Sequence, residues 1–207
     1  MAYKEPLSKR ILDVALSVLM LGMALPVILP ISMAIKLEDG GPVFYRQKRW
    51  GRNGTRFGVY KFRTMVPDAE RKFGITQAQE NDTRTTRIGR LLRAMGLDEL
   101  PQIINILNGD MSFVGPRSLA VGEALTDING RRVNYEEIRG FWDRLEARPG
   151  LTGLATVFIP KDSPPRRKFL YDLLYLRKYT FCLDLHLIAL SFWISIRGKW
   201  EVRTHKF

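Results

Sequence analysis

The sequence predicts a mostly helical α+β protein with a membrane-inserted helix near its N-terminus, and three observations carry that expectation. A long apolar segment, Ile11 to Ile35, contains a single charge, Asp13. A run rich in basic and aromatic residues follows, divided by Asn53-Gly54, a strong signal for a tight hairpin turn. Beyond it apolar residues recur at helical spacing, first in Ile88, Leu91, Leu92 and Met95, then in Leu100, Ile103, Ile104 and Leu107. At 207 residues the chain reads as one domain, 1–207, with its membrane segment at 11–35 and the remainder, 36–207, folded beside the membrane.

The apolar segment is long enough to cross a bilayer core, which takes about 20 helical residues. Pro26 and Pro30 fall past its middle, where each removes a backbone donor and bends or breaks a helix. Lys9 and Arg10 precede it and Lys36 follows it. Positive flanks favour the cytoplasmic side, so both ends lie there if the helix enters and turns back. That geometry makes the helix re-entrant, with its break at Pro26. Ser17 carries a hydroxyl suited to a freed carbonyl in lipid. A cleaved signal peptide fits less well, because no small-residue cleavage site follows the run.

Val43 to Arg49 and Arg56 to Arg63 read as the strands of a short basic hairpin. Basic residues with interleaved aromatics suit anionic lipid headgroups beside a membrane segment, or single-stranded nucleic acid. Val66 to Gln79 has helical composition, and Arg84 to Met95 is a clearer helix, with Arg84, Arg87, Arg90 and Arg93 as a drifting basic stripe. The next helix starts near Asp98, and another is expected from Val133 to Leu145. The last third offers a polar loop and two helices. The second, Phe181 to Ile196, is short for a crossing and suited to the membrane interface.

Net charge is +12, from 33 Lys and Arg against 21 Asp and Glu, which calls for an anionic partner such as nucleic acid, an acidic membrane or a phosphorylated substrate. The single cysteine, Cys182, excludes an intramolecular disulfide and a zinc cluster, and its apolar neighbours mark it as an inert buried thiol. His186 and His205 are the only histidines, so acid-base chemistry falls to carboxylates. Asp98 and Glu99 are the candidates, adjacent in Gly96-Leu97-Asp98-Glu99-Leu100-Pro101-Gln102. Such a pair can bind a metal, act as a base or attack phosphorus, or it can simply begin a helix. Arg148-Pro149-Gly150-Leu151-Thr152-Gly153 adds a glycine-rich loop whose amides suit phosphate or an ordinary turn.

Several motifs, in order, resemble the bacterial sugar transferases that act as monotopic polyprenyl-phosphate phosphoglycosyl transferases. They are Lys9-Arg10-Ile11-Leu12-Asp13, Gly41-Pro42-Val43-Phe44 with Gln47-Lys48-Arg49, and Lys61-Phe62-Arg63-Thr64-Met65. Leu97 to Gln102, Gly109 to Arg117 and Arg148 to Gly153 complete the series. The resemblance implies a helical catalytic core with interfacial helices, at the cytoplasmic face of a bacterial inner membrane. It implies a nucleotide-diphosphate sugar as donor, UDP-linked by preference, and a polyprenyl phosphate such as undecaprenyl phosphate as acceptor. Asp98 takes the position of the family's nucleophile and Glu99 that of its partner, with Mg2+ as cofactor held by the two. Arg93 and Arg117 match arginines flanking the dyad. Lys61, Arg63 and Arg148, in the other matched motifs, complete the substrate-binding set. Anionic lipids are expected partners and nucleic acid is not, with a homodimer left open. The resemblance also implies a minimal catalytic form, without the added transmembrane helices of larger relatives. Two departures stand out. Leu25-Pro26 replaces the Ser-Pro of many relatives, and Thr156 to Asp162 replaces a Gln-Val-Asn-Gly loop, where a different sugar preference is expected. The competing reading is a membrane-associated nucleic-acid-binding or scaffold protein built on the basic hairpin.

Overall fold

The computed structural model describes residues 3–69, 82–126, 132–160 and 163–197. Its first element is helix α1 (Leu7–Asp39). The buried residues Lys9, Asp13, Ser17, Ala24 and Ile35 fall along one line of α1 at helical spacing, and that line faces the protein body. Leu19, Met23, Leu25, Leu29, Met33 and Leu37 are exposed. Among the described residues it is the one helix long and apolar enough to cross a membrane.

Both ends of α1 are held by the same body. Near its start, Arg10 donates to the Ile106 and Leu107 carbonyls at 2.7 and 2.8 Å. At its end, Glu38 accepts from the backbone N–H groups of Arg87 (2.6 Å) and Ile88 (3.2 Å), and Asp39 forms an ion pair with Arg63. The expected break at Pro26 is not observed, since α1 runs as one helix through Pro26 and Pro30. Both prolines lie on the exposed face. The missing donors therefore weaken only that side, and the inward packing carries the helix past them.

Strands β1 (Phe44–Trp50) and β2 (Arg56–Phe62) form an antiparallel hairpin in which Tyr45 faces Lys61 and Gln47 faces Val59. The turn needs two left-handed residues, and Asn53 (φ 54°) with Gly54 (φ 75°) supplies them. Alternation puts Tyr45, Gln47 and Arg49 on the inner face and leaves Phe44, Arg46 and Lys48 outside. Several of the hairpin's aromatics are engaged within the protein. Phe44 stacks on Phe62 at 5.4 Å, Arg46 covers Tyr60 and Arg56 covers Trp50. That arrangement leaves few free faces for nucleobases.

Helix α2 (Arg87–Met95) starts under a Thr86 cap, later than the sequence pattern indicates, because Arg84 is drawn to Asp82 at 2.6 Å. A 3-10 turn, Leu97–Glu99, leads into α3 (Gln102–Asn108). Buried Asn105 binds α3 to β2, accepting from Tyr60 N–H at 3.0 Å and donating to the Gly58 carbonyl at 2.9 Å. Strand β3 (Ser112–Val114) later pairs in parallel with β6 (Gly150–Thr152), and β4 (Ala124–Thr126) pairs with β5 (Arg132–Asn134). The helix expected over Val133 to Leu145 is instead β5, a 3-10 turn Tyr135–Glu137 and one turn, α4 (Phe141–Arg144). Gly140, at φ 88°, interrupts any longer helix. Of the helix expected over Val66 to Gln79, residues 70–79 lie outside the described residues.

Helices α5 (Leu154–Phe158), α6 (Pro165–Arg177) and α7 (Phe181–Ile196) complete the chain. The core has three clusters. The largest joins Val59, Ile106, Met111, Phe113, Tyr175 and Leu187; the second centres on Trp50, Phe141 and Phe169; the third packs Ile35 on Phe62 and Leu92. Cys182 is exposed, not buried, because α7 turns Asp184, Leu187 and Ile194 inward and leaves Cys182 and Leu185 outside.

Candidate active site

The β3–β6 contact brings two glycine-containing motifs together, backbone against backbone. A Cβ on Gly150 would stand 2.1 Å from the Gly115 nitrogen, and one on Gly153 2.1 Å from the Gly115 oxygen. The amides of Gly115 and Gly150 are bonded to the Thr152 and Pro116 carbonyls, each at 2.9 Å, and so are not open to phosphate. This crossing instead fixes where Arg117 leaves the backbone. The Arg117 carbonyl accepts from Arg144, and its guanidinium makes no hydrogen bond or ion pair among the described residues.

Asp98 is placed by a turn. Gly96, at φ 70°, ends α2 in the left-handed conformation, and Leu97 and Leu100 pack into the third core cluster on either side of the acids. The Asp98 side chain is thereby pushed to the wall of a cavity of about 1280 Å³, where the residue is 8% exposed. The acids were expected to open a helix; they sit instead in a 3-10 turn, with α3 beginning at Gln102.

Glu99 accepts from Lys61 Nζ, and the pair closes the hairpin onto the turn. Burial pushes the Glu99 carboxyl up, but Lys61, Arg117 and Arg49 outweigh it and hold it at about 2. Burial pushes the Lys61 ammonium down, with Glu99 opposing it and Arg49 reinforcing it. Burial and then Arg117 also press Arg49 downward. Three cations thus crowd one wall and press on one another, with Glu99, Asp98 and Glu123 opposing them. An anion bound there would relieve the strain.

The remaining expected site residues divide. Arg93 lines the cavity, with Nε donating to Thr64 Oγ1 at 2.9 Å and Nη1 to Thr85 Oγ1 at 3.3 Å. Arg63 also borders it, but its guanidinium is engaged by Asp39 and by the Pro42 and Met65 carbonyls. Its position is that of a clamp between the end of α1 and the end of β2. Arg148 stands away from the cavity lining, donating to the Gly109 carbonyl at 2.8 Å and paired with Glu5. Pro26 is likewise not at the cavity.

Several wall residues were not singled out by sequence reasoning. Arg49 donates to the Ser118 carbonyl at 2.7 Å and to Gln47 Oε1 at 2.9 Å. Strand alternation was the available signal, since Tyr45, Gln47 and Arg49 share a face with Lys61. Glu123, Tyr135, Arg144 and Asp172 also line the cavity, and no local pattern announces them. The other side is apolar, with Met20 from α1, Ala155 and Ile159 at α5, and Ile188 and Phe192 from α7. Among the described residues, no three His, Cys, Asp or Glu side chains gather as a metal cluster.

The family model described as bacterial sugar transferase matches residues 4–198. The chain is 38% identical, over 89% of its length, to the UDP-glucose:undecaprenyl-phosphate glucose-1-phosphate transferase of Xanthomonas campestris pv. campestris, of which it spans 38%. It is 39% identical, over 87% of its length, to the exopolysaccharide production protein PSS of Rhizobium leguminosarum bv. phaseoli, of which it spans 90%. It is 34% identical, again over 87% of its length, to the UDP-N-acetylgalactosamine-undecaprenyl-phosphate N-acetylgalactosaminephosphotransferase of Aeromonas hydrophila, of which it spans 41%.

Proposed function

The chain belongs to the bacterial sugar transferase family, and on that premise we propose that it transfers a sugar 1-phosphate from a UDP-sugar to undecaprenyl phosphate or a similar polyprenyl phosphate. The products are polyprenyl-diphosphate-sugar and UMP, the first membrane step of surface glycan assembly. One observation carries the reading. A single cavity holds a buried carboxylate, Asp98, a cationic wall of Lys61, Arg49 and Arg117, and an apolar side formed by helices α1 and α7. Diphosphate and prenyl chain require those opposite chemistries within reach of one nucleophile.

In this mechanism an Asp98 oxygen attacks the sugar-bearing phosphorus. The new O–P bond forms as the bond to the bridging oxygen breaks, and UMP leaves with that electron pair. An oxygen of the lipid phosphate then attacks the same phosphorus, and the Asp98 carboxylate departs. Arg117, Arg49 and Lys61 stabilise charge on the transferring group. A Glu99 carboxyl held at about 2 stays ionised at neutral pH. That favours orientation of Lys61 over proton donation as its role. Mg2+ fits this site, because it is commonly held by one or two carboxylates with phosphates completing the shell. Asp98 and Glu99 would hold it, and it would neutralise charge on the diphosphate.

Helix α1 supports a placement at the membrane. A straight helix of this length would span about 50 Å at 1.5 Å per residue. A crossing would put its ends on opposite faces, yet one body grips both. The exposed apolar face then lies against the bilayer with both ends of α1 on one side, which we take as the cytoplasmic side, where nucleotide sugars are found.

The reading is tested with a panel of labelled nucleotide sugars and polyprenyl phosphate in membranes. UMP release with lipid-linked label is expected; release of UDP would mean transfer of the sugar alone. A second expectation concerns pH. Lys61→Met removes the strongest influence lowering the Glu99 carboxyl, so that group titrates higher. The acid limb of the kcat/KM profile moves toward neutral pH, which a pH–rate series on the two proteins measures.

A further inference from the structure

We propose that Glu123, Tyr135 and Arg144 form a subsite that binds vicinal hydroxyls of the donor, in the cavity beside Arg117. The inference rests on the nucleotide-sugar reading above and says which residues choose among donors. All three side chains line the cavity that contains Asp98. Arg144 is only 1% exposed. Its Nε and Nη2 reach Asp172 Oδ2 at 2.8 and 2.7 Å, and Nη2 also donates to the Arg117 carbonyl. Nη1 has no partner among the described residues. A buried donor left unpaired is destabilising, because it has given up water without gaining a partner. A ligand oxygen seated against it, with a small adjustment of the wall, would supply that partner.

The neighbours offer complementary groups. Glu123 accepts from the Ala120 N–H at 3.3 Å through Oε2, and Oε1 makes no hydrogen bond among the described residues. The Tyr135 residue is 5% exposed and belongs to the cavity lining. Burial and then Glu123 push that phenol up to about 12, so it keeps its proton and can donate. The Tyr135 phenol also feels Arg117, Arg144 and Arg49, which places the three residues in one electrostatic neighbourhood.

The balance of charges selects the ligand class. Glu123 and Asp172 disfavour phosphate directly against these side chains, whereas Lys61 and Arg117, which both act on Glu99, attract it. A hydroxyl is both donor and acceptor. It can give its proton to Glu123 and take hydrogen bonds from Tyr135 and Arg144, and neighbouring hydroxyls on a ring can use all three. Arg117 joins the two regions, with its backbone held by Arg144 and Asp172 and its charge felt at Glu99. A donor whose diphosphate lies at Arg117 therefore presents a hydroxylated ring to this subsite, either the sugar or the ribose.

Glu123→Gln and Tyr135→Phe keep shape and leave the Arg144–Asp172 pair intact, and unfolding curves compare their stability with the parent. Each is expected to raise the donor KM roughly tenfold with a smaller change in kcat, the loss of a hydrogen bond to a charged or buried group. UMP as an inhibitor separates the two sources. Unchanged UMP inhibition with an altered ranking across the sugar panel assigns the subsite to the sugar. Weakened UMP inhibition with an unaltered ranking assigns it to the ribose. Donor KM, UMP inhibition and ranking all unchanged in both variants overturn the proposal. A parent protein that releases no UMP from any nucleotide sugar overturns the functional reading instead.

Discussion

Asp98→Asn is expected to abolish sugar-phosphate transfer, by a factor on the order of 10⁴ or more, while folding and vesicle binding persist. Loss of a covalent nucleophile carries effects of that size. The amide is nearly isosteric with the carboxylate, so the Leu97–Glu99 turn and the packing of Leu97 and Leu100 remain. What disappears is an anionic oxygen able to form a bond to phosphorus. The intermediate itself is measurable. Incubated with labelled donor and no lipid, the parent protein should gain the mass of a sugar phosphate at Asp98 and release one equivalent of UMP. The variant should do neither. Glu99→Gln should still form the adduct, more slowly, because it weakens the hold on Lys61 without removing the nucleophile. A fully active Asp98→Asn would falsify the covalent scheme.

The contrast between those two acids shows what a linear reading can reach. The sequence placed Asp98 and Glu99 side by side directly after the arginine-striped helix, and they lie there, though in a 3-10 turn and not at the start of α3. Elements dominated by local signals also emerged cleanly. The Asn53-Gly54 turn determined the hairpin, and α7 begins at Phe181 and ends at Ile196 as the apolar run indicates. Which basic residues face an anion was not legible. Lys61, Arg63 and Arg148 look alike in their motifs, but Arg63 meets Asp39 and Arg148 meets Glu5, both far away in sequence. Those carboxylates convert expected ligands into clamps. The converse holds elsewhere in the cavity wall. Glu123, Tyr135, Arg144 and Asp172 come from four separate segments, and their convergence depends on how α4 and α6 pack. The region from Val133 to Leu145 misled because composition favoured a helix while Gly140 and pairing of β5 with β4 prevented it.

The second large effect is on stability, at the start of α1. Lys9 and Asp184 form an ion pair at 2.6 Å with both side chains almost wholly buried. Tyr175 completes it, accepting from Lys9 Nζ at 3.1 Å and donating to Asp184 Oδ1 at 2.7 Å. Removing one charge strands the other in a site that water does not reach. Asp184→Asn or Lys9→Met should therefore cost about 3–5 kcal/mol, the usual penalty for breaking a buried pair from one side. Replacing both, as Lys9→Met with Asp184→Leu, should restore most of that loss, because desolvating two ions offsets much of what their attraction returns. Unfolding curves in detergent give the three values, and limited proteolysis near residue 9 reports whether α1 has come away from α7. The consequence extends to the site. Tyr175 also contacts the Val114 carbonyl at 3.4 Å, one residue before the Gly115 crossing that positions Arg117. The single variants should accordingly lose activity along with stability, and the double variant should recover both. A double variant no better than the singles would mean that hydrogen-bond geometry around Tyr175, not charge pairing, holds the membrane helix to the catalytic body.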